Sequence, residues 1–261
     1  MAPMPHPLSV FIIALNEADR IGRTIEAVRA VADDVVVVDS GSTDGTQEVA
    51  RALGARVVHN PWPGYGEQKR VGEDQCRHDW VLNVDADEVA SPALAAEIAA
   101  LLAGDPPADA YRITIAELFP GERRPHRFAH RLAPVRLYRR SRFRYSPSPV
   151  HDRVVLTRGA RVGRLRGELH HYSVRSLGDE IAKLNRYSDL QVRDMEARGL
   201  AVPLARIYVE FLGAFLKAYF FRRHFLRGGY GFLIAMNYAF WRHLRMAKYY
   251  ERRRTMRGER E

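Results

Sequence analysis

The sequence predicts an α/β fold, a mostly parallel sheet with helices on both faces, followed by a C-terminal helical extension. Three observations predict it. Over residues 8–103, short apolar runs alternate with segments of helical period, the pattern of parallel strands joined through helices. The runs are apolar throughout instead of alternating, as in strands covered on both faces. From about Leu177 the strand signal stops and helical spacing continues to the end.

Each element follows in order. Leu8 to Ala14 reads as a buried strand, and Ile21, Ile25 and Val28 place a helix directly after Glu17. Val35 to Val38 form a second strand ending in Asp39 and a Gly/Ser/Thr/Asp turn. Ser42, Thr43 and Asp44 there are suited to cap a helix with Val49, Ala50 and Leu53 inward. "ARVVHN" is a third strand and "DWVLNV" a fourth. Ser91-Pro92 then opens a helix with Leu94, Ile98, Leu101 and Leu102 on its inner face. Residues 111–170 are Arg-rich, with short strand-like pieces such as "VRLYRR" and "RVVLT". In the last part Leu177, Ile181, Leu184 and Tyr187 share one helical face, and 204–221 is apolar nearly all round. The uncharged run 228–241 falls short of the roughly 20 residues that span a bilayer. Basic residues beside aromatics (Phe220, Phe221, Arg222, Arg223, Phe225, Trp241, Arg242) suit a headgroup layer. The alternative is a helical pair packed on protein.

The 261 residues allow a sizeable core, and 46% hydrophobic with 28% charged residues is a globular composition. One cysteine, Cys76, excludes an internal disulfide and a Cys-rich zinc site. The N-terminus lacks a basic n-region and its apolar run is about six residues, so secretion is not expected. Charge is unevenly spread. Residues 1–119 carry 9 Lys/Arg against 19 Asp/Glu, residues 120–170 carry 14 against 3, and residues 200–261 carry 13 against 4. An acidic half holding a cation and a basic half meeting an anionic partner would account for this.

The chemistry is concentrated at strand ends. In open α/β sheets ligands bind beyond the carboxyl ends of the strands. Asn16-Glu17, Asp39 and Asp85-Ala86-Asp87 occupy three such ends and are expected to converge on one cleft. Neither a G-x-G-x-x-G after the first strand nor a P-loop is present. A divalent cation, Mg²⁺ or Mn²⁺, in the Asp-x-Asp turn is the expected way to hold phosphates, since such ions take one or two carboxylates plus substrate oxygens.

"SVFIIALNEADRIGRTIEAV", "VVVVDSGSTDGTQEVA", "NPWPGYGEQKRVG" and "DWVLNVDADE" together resemble the donor half of family 2 glycosyltransferases of the GT-A fold, over residues 8 to about 103. Within that family the likeness is to bacterial transferases that add a β-linked glucose or similar sugar to the lipopolysaccharide inner core. "PVHDRV" and "LHHYSVRSLGDEIAKLNRYSDL" extend it. The resemblance implies a nucleotide pocket lined by the backbone of Ala14, Leu15, Asn16 and Glu17. It implies that Asp39 bonds the uracil or ribose, and that Gln68 and Lys69 contact the nucleotide and diphosphate. Asp85 would face the ribose or a metal-bound water, and Asp87 would ligate the ion. Arg70 stands where the family carries asparagine. Asp152 would be the general base of an inverting transfer, in a position where the subgroup more often has glutamate. His151, His170 and His171 are candidates for a further metal or phosphate contact. Asp39 as a turn cap, Lys69 as a surface lysine and Asp152 as an arginine partner are the structural alternatives.

These readings divide the chain into a nucleotide-sugar half (1–110), a basic acceptor half of the same GT-A domain (111–175) and amphipathic C-terminal helices at a membrane surface (176–261). The expected activity is metal-dependent transfer of a sugar from a UDP-sugar, with UDP-glucose the expected donor. The acceptor is a phosphorylated lipid-linked saccharide whose oxyanions the arginines of 123–166 would fork. The expected place is the cytoplasmic face of the inner membrane, peripherally bound, with no nucleic-acid partner. The alternatives are a sugar nucleotidylyltransferase, which would need a Gly-rich, Arg-containing loop where "ALNEADR" stands, and a non-catalytic basic module binding membrane or nucleic acid.

Overall fold

Apolar runs without alternation become the centre of the sheet. The computed structural model describes residues 6–148 and 152–258, so His151 lies outside the described residues. The chain forms two compact units, one of Met1–Glu117 with Arg131–Ser173, the other of Leu118–His130 with Val174–Glu261.

The first unit runs β1 (Leu8–Ala14), α1 (Ile21–Arg29), β2 (Asp34–Asp39), α2 (Thr46–Ala52), β3 (Arg56–His59), α3 (Tyr65–Gln75), β4 (Trp80–Asn83), β5 (Glu88–Ala90), α4 (Pro92–Ala103) and β6 (Ala110–Glu117). It continues through β7 (Arg131–Leu132), β8 (Val135–Arg139), β9 (Arg144–Tyr145), β10 (Val154–Val155) and β11 (Val162–His171). The main sheet has the order β3-β2-β1-β4-β8-β6-β11-β5, with β7 on β6. Its N-terminal four strands are mutually parallel. β8 then enters antiparallel between β4 and β6, and β6 and β11 pair in parallel. This is the expected α/β sheet of the GT-A kind.

β1 is buried along its whole length because both faces are covered. Successive side chains point to opposite faces. Val10, Ile12 and Ala14 join Ile21, Ile25, Val28, Leu94 and Ile98 in one core, while Phe11 and Ile13 join Val36, Val38, Tyr138 and Tyr145 in the other. Full burial of such side chains contributes about 1.5–3 kcal/mol each. Ser91 caps α4 as expected, its hydroxyl accepting from the Leu94 amide at 3.2 Å with Pro92 in the first turn. α2 departs from expectation, because its N-cap is Gly45, at φ 92°.

α3 escapes sequence periodicity. Its buried residues are Gly66, Gln68, Lys69, Gly72 and Glu73, so there is no apolar stripe to read. Two features hold it. A Cβ on Gly72 would lie 2.6 Å from the Phe11 ring, so glycine permits the close approach of helix to β1. Glu73, fully buried, accepts from the Tyr138 hydroxyl at 2.6 Å, the Tyr145 amide at 2.8 Å and Arg144 Nε at 2.6 Å.

The second unit is helical: α5 (Leu177–Ala197), α6 (Ala205–Leu216), a π turn (Lys217–Phe221), a 3-10 turn (His224–Arg227) and α7 (Gly228–Gly258). Ser176 caps α5 through the Asp179 amide. The apolar face shared by Leu177, Ile181, Leu184 and Tyr187 on α5 is only partly covered, with Ile181 46% exposed. Val192 and Met195 pack instead with Met246 and Tyr249 of α7. No described helix is long and apolar enough to cross a membrane.

Candidate active site

β1 lies between β2 and β4 and all three run parallel, so their carboxyl ends share one edge of the sheet. Asn16 leaves β1 in the left-handed region, φ 56°, which asparagine tolerates better than most residues. Its amide donates to Ser42 Oγ at 2.9 Å, and its Oδ1 accepts from the Thr43 amide at 2.9 Å. The Glu17 amide donates to Thr46 Oγ1 at 2.8 Å and the Ala18 amide to Asp44 Oδ2 at 3.0 Å. Ser42 and Asp44, whose types suit helix capping, thus fasten the loops after β1 and β2 to each other. Ala14 is buried, whereas Leu15 is 48% exposed at this edge.

Asp39 is fully buried, and its own turn supplies its partners. Oδ1 accepts from the Gly41 and Ser42 amides at 3.0 and 2.9 Å and from Gln47 Nε2 at 2.7 Å, and Oδ2 accepts from the Ser42 hydroxyl. Gln68 is likewise enclosed. Its Nε2 donates to Ser40 Oγ at 3.0 Å and to the Asn60 carbonyl at 3.2 Å, while Oε1 accepts from Asn60 Nδ2 at 2.6 Å. Both residues brace the turns after β2 and β3.

Lys69 is the hub of the acidic cluster, and it is no surface lysine. Only 3% of its side chain is exposed, and Nζ lies 3.1 Å from Asp85 Oδ1 and 2.6 Å from Asp152 Oδ2. The Tyr145 ring centroid is 5.1 Å from the ammonium. From β8, Arg136 bonds Asp85 Oδ2 and Glu88 Oε1, each at 2.9 Å, and also donates to Asn83 Oδ1. Burial opposes the charge on Asp85, but the Arg136 and Lys69 cations outweigh it and hold the carboxyl far below its usual range. Burial pushes neighbouring Glu88 up against the pull of Arg136, and the Asp85 charge adds to the rise. Arg136 and Lys69 thus hold Asp85 towards the ionised form, while burial and the Asp85 charge tip Glu88 towards the protonated one against the same guanidinium.

Asp87 faces a different set. His171 Nε2, at the end of β11, is 3.3 Å from its Oδ2, and Arg20 Nη1 is 3.8 Å away. Burial disfavours both charges of the Asp87–His171 pair. The bond between them prevails, lowering the Asp87 pKa and raising that of His171. Arg20 is itself buried. It donates to Glu17 Oε2 at 2.7 Å and to the Tyr172 carbonyl at 2.8 Å, so Glu17 reaches Asp87 through one guanidinium. His170 sits apart, influenced by Glu168 and Arg131, with burial holding its pKa below the usual value.

The structure therefore brings Lys69, Asp85 and Asp152 into contact, and joins Glu17 to Asp87 through Arg20. It gives Asp39 and Gln68 bonds within the fold. Sequence reasoning missed Arg136, Arg20 and Tyr145. An arginine alternating with Val135 and Leu137 in a strand was the available signal for Arg136. Several arginines of the basic segment are internal counter-ions, not free forks: Arg136 pairs with Asp85 and Glu88, Arg144 with Glu73 and Asp74, and Arg142 with Asp109.

A mostly parallel sheet of this topology, with the carboxyl ends of β1, β2 and β4 on one edge, is of the GT-A class. The chain belongs to glycosyl transferase family 2, whose model matches residues 9–165. It is 40% identical to a glycosyltransferase of Rickettsia bellii, over 92% of this chain and 85% of that one. It is 33% identical to the lipopolysaccharide core biosynthesis glycosyltransferase LpsC of Rhizobium meliloti, over 94% of this chain and 93% of that one. Among solved structures, glucosyl-3-phosphoglycerate synthase from Mycobacterium tuberculosis with Mn²⁺ and UDP-glucose is 27% identical, with a TM-score of 0.36 and 46% of this chain and 45% of that one covered. Family membership decides for glycosyl transfer against the nucleotidylyltransferase and binding-module alternatives.

Proposed function

We propose that this glycosyltransferase is metal-dependent and inverting, and moves glucose from UDP-glucose onto a phosphorylated lipid-linked saccharide such as the lipopolysaccharide inner core. The observation that carries the chemistry is the cluster in which Lys69 joins Asp85 of the Asp-x-Asp turn to Asp152.

The described residues contain no ready-made cage of three or more His, Cys, Asp or Glu side chains. They offer Asp87 with His171 Nε2 3.3 Å from it, and Asp85 in the same turn. That set fits Mg²⁺ or Mn²⁺, which accept one or two carboxylates, tolerate imidazole and complete their shell with substrate phosphates. Held there, the ion would act as a Lewis acid on the departing diphosphate. Asp152 takes the proton of the acceptor hydroxyl as that oxygen attacks the anomeric carbon, and the electrons of the breaking bond leave on UDP. Attack opposite the leaving group inverts the anomeric configuration. Lys69 faces the charge that builds on the diphosphate, and turning towards it frees Asp152 Oδ2 for the proton. Arg136 keeps Asp85 ionised and fixed. The backbone of Ala14 to Glu17 and the Asp39 turn line the nucleotide pocket, and Gln68 supports its floor.

Two observations support the acceptor. LpsC, similar along nearly its whole length, is named for lipopolysaccharide core biosynthesis. A hollow of about 560 Å³ in the first unit is lined by Arg131, Arg164 and Arg166, with Thr114 and Glu168, and suits phosphate or carboxylate groups on a saccharide. A lipid-linked acceptor places the protein peripherally on the cytoplasmic face of the inner membrane.

Calorimetric titration of UDP with and without Mn²⁺ tests the donor side. Tight binding only with the metal is expected, and metal-independent or absent binding contradicts the reading. Mass spectrometry of the core saccharide from cells lacking the protein tests the acceptor side, with loss of one hexose expected.

A further inference from the structure

α6 is folded inside out. Over Ala205–Leu216 its outward positions recur at intervals of three and four, and they are apolar: Tyr208 is 78% exposed, Val209 63%, Leu212 61% and Leu216 42%. The π turn that follows adds Phe220 at 51% and Phe221 at 85%. Of its two charged residues the acid is on the inner face, and Arg206, 44% exposed, reaches it from the rim. Glu210, 8% exposed, bonds Arg206 Nε at 2.7 Å and pairs with Arg242 and, at 3.6 Å, Arg245. A helix whose outer solvent is water places apolar residues in and charges out. Reversing both at once implies an apolar medium outside.

We propose that this face of α6, with the turn after it, docks flat onto an anionic bilayer surface. The inference rests on the lipid-linked acceptor of the proposed function. Two further observations select lipid over protein. Residues 211–250 contain no Asp or Glu and seven Lys or Arg. Lys217, Arg222 and Arg223 are exposed beside the apolar stripe, where headgroup phosphates would lie. A second copy docked through the same face in a two-fold pair would set these cations against their own counterparts. Twelve residues of helix measure about 18 Å against a hydrocarbon core of about 30 Å, so the helix lies in the interface with its apolar side inserted and does not cross.

The test is co-sedimentation of the full chain with phosphatidylcholine vesicles, alone or containing about a third phosphatidylglycerol, beside the variants Val209→Gln/Leu212→Gln and Arg222→Gln/Arg223→Gln. Both substituted pairs are exposed, and UDP titration of each variant reports an intact donor site. The chain is expected to bind the anionic vesicles. The apolar pair should weaken that binding at least about tenfold, in line with the transfer energy of two aliphatic side chains. The arginine pair should remove most of the preference for anionic lipid. Vesicle binding unchanged in the Val209/Leu212 variant overturns this face while leaving a membrane enzyme intact. No vesicle binding by the unaltered chain overturns the docking, and metal-dependent UDP binding would then still uphold the transferase. A dimer in analytical ultracentrifugation that the Val209/Leu212 variant abolishes, with vesicle binding unchanged, assigns the face to a second copy and overturns the proposal.

Discussion

Lys69 Nζ lies 2.6 Å from Asp152 Oδ2 across 83 positions of sequence. The cation that α3 carries inward therefore occupies the oxygen proposed to receive the acceptor's proton. In the proposed mechanism donor binding and base release are coupled, because a diphosphate would compete with Asp152 for the same ammonium. Lys69→Met should lower kcat about a hundredfold and weaken UDP-sugar binding together, as read from steady-state rates and UDP titration.

Asp152→Asn separates the two roles. Transfer should fall below about a thousandth of the original rate while UDP-sugar affinity is kept or rises, because the proposed base acts on the acceptor and its loss leaves the Lys69 ammonium to the diphosphate. A parallel loss of nucleotide affinity would give Asp152 a different task.

Asp87→Asn should abolish the gain in UDP affinity that Mn²⁺ confers and reduce transfer by about 10²–10³-fold. Thermal unfolding should change little. Persistent Mn²⁺ dependence would move the ion away from Asp87.

Arg136 is 6% exposed and bonds three acceptors. Arg136→Met leaves the carboxylates of Asp85 and Glu88 without it in a buried site, a loss of about 3–5 kcal/mol in urea unfolding. Arg166→Gln, an exposed position, should change stability by no more than about 0.5 kcal/mol.

His224 supplies a pH dependence. Burial first, then the Arg227 and Arg222 charges, push its pKa down to about 4 from an ordinary 6.5. Below pH 6.5 the unfolded chain binds a proton that the folded chain refuses. Stability of the second unit should therefore fall as pH drops from 6.5 to 4 and level off beneath, by up to about 3 kcal/mol. His224→Phe keeps a ring against Phe119, which stacks on the imidazole at 6.2 Å. It should flatten the unfolding curve in that window.

What could be read without the structure was local. Strands β1, β2 and β4 announce themselves through uninterrupted apolar runs, and α4 through Ser91-Pro92. α3 stayed hidden because its inner face is Gln68, Lys69, Gly72 and Glu73, which an apolar-periodicity test cannot distinguish from a loop. The same polar face brings Lys69 to the acidic cluster, so the failure of the pattern marked the helix that carries a buried cation to Asp85 and Asp152. The basic segment misled in the opposite direction. Arg136 and Arg144 looked like ligands for an acceptor and are counter-ions for Asp85 and Glu73.

By itself the sequence determined the order of β1 to β4 with α1, α2 and α4, and the placing of Asp39, Asp85 and Asp87 at or just beyond strand ends, because periodicity and turn chemistry act over a few neighbouring residues. Only the tertiary structure decided that Lys69 and Arg136 close around Asp85 with Asp152 on the same ammonium, that His171 rather than His170 meets Asp87, and that α6 turns its apolar side outward. Those are pairings between charges and surfaces far apart in the chain. Their partners are selected by how strands cross and helices pack, and no local pattern encodes that.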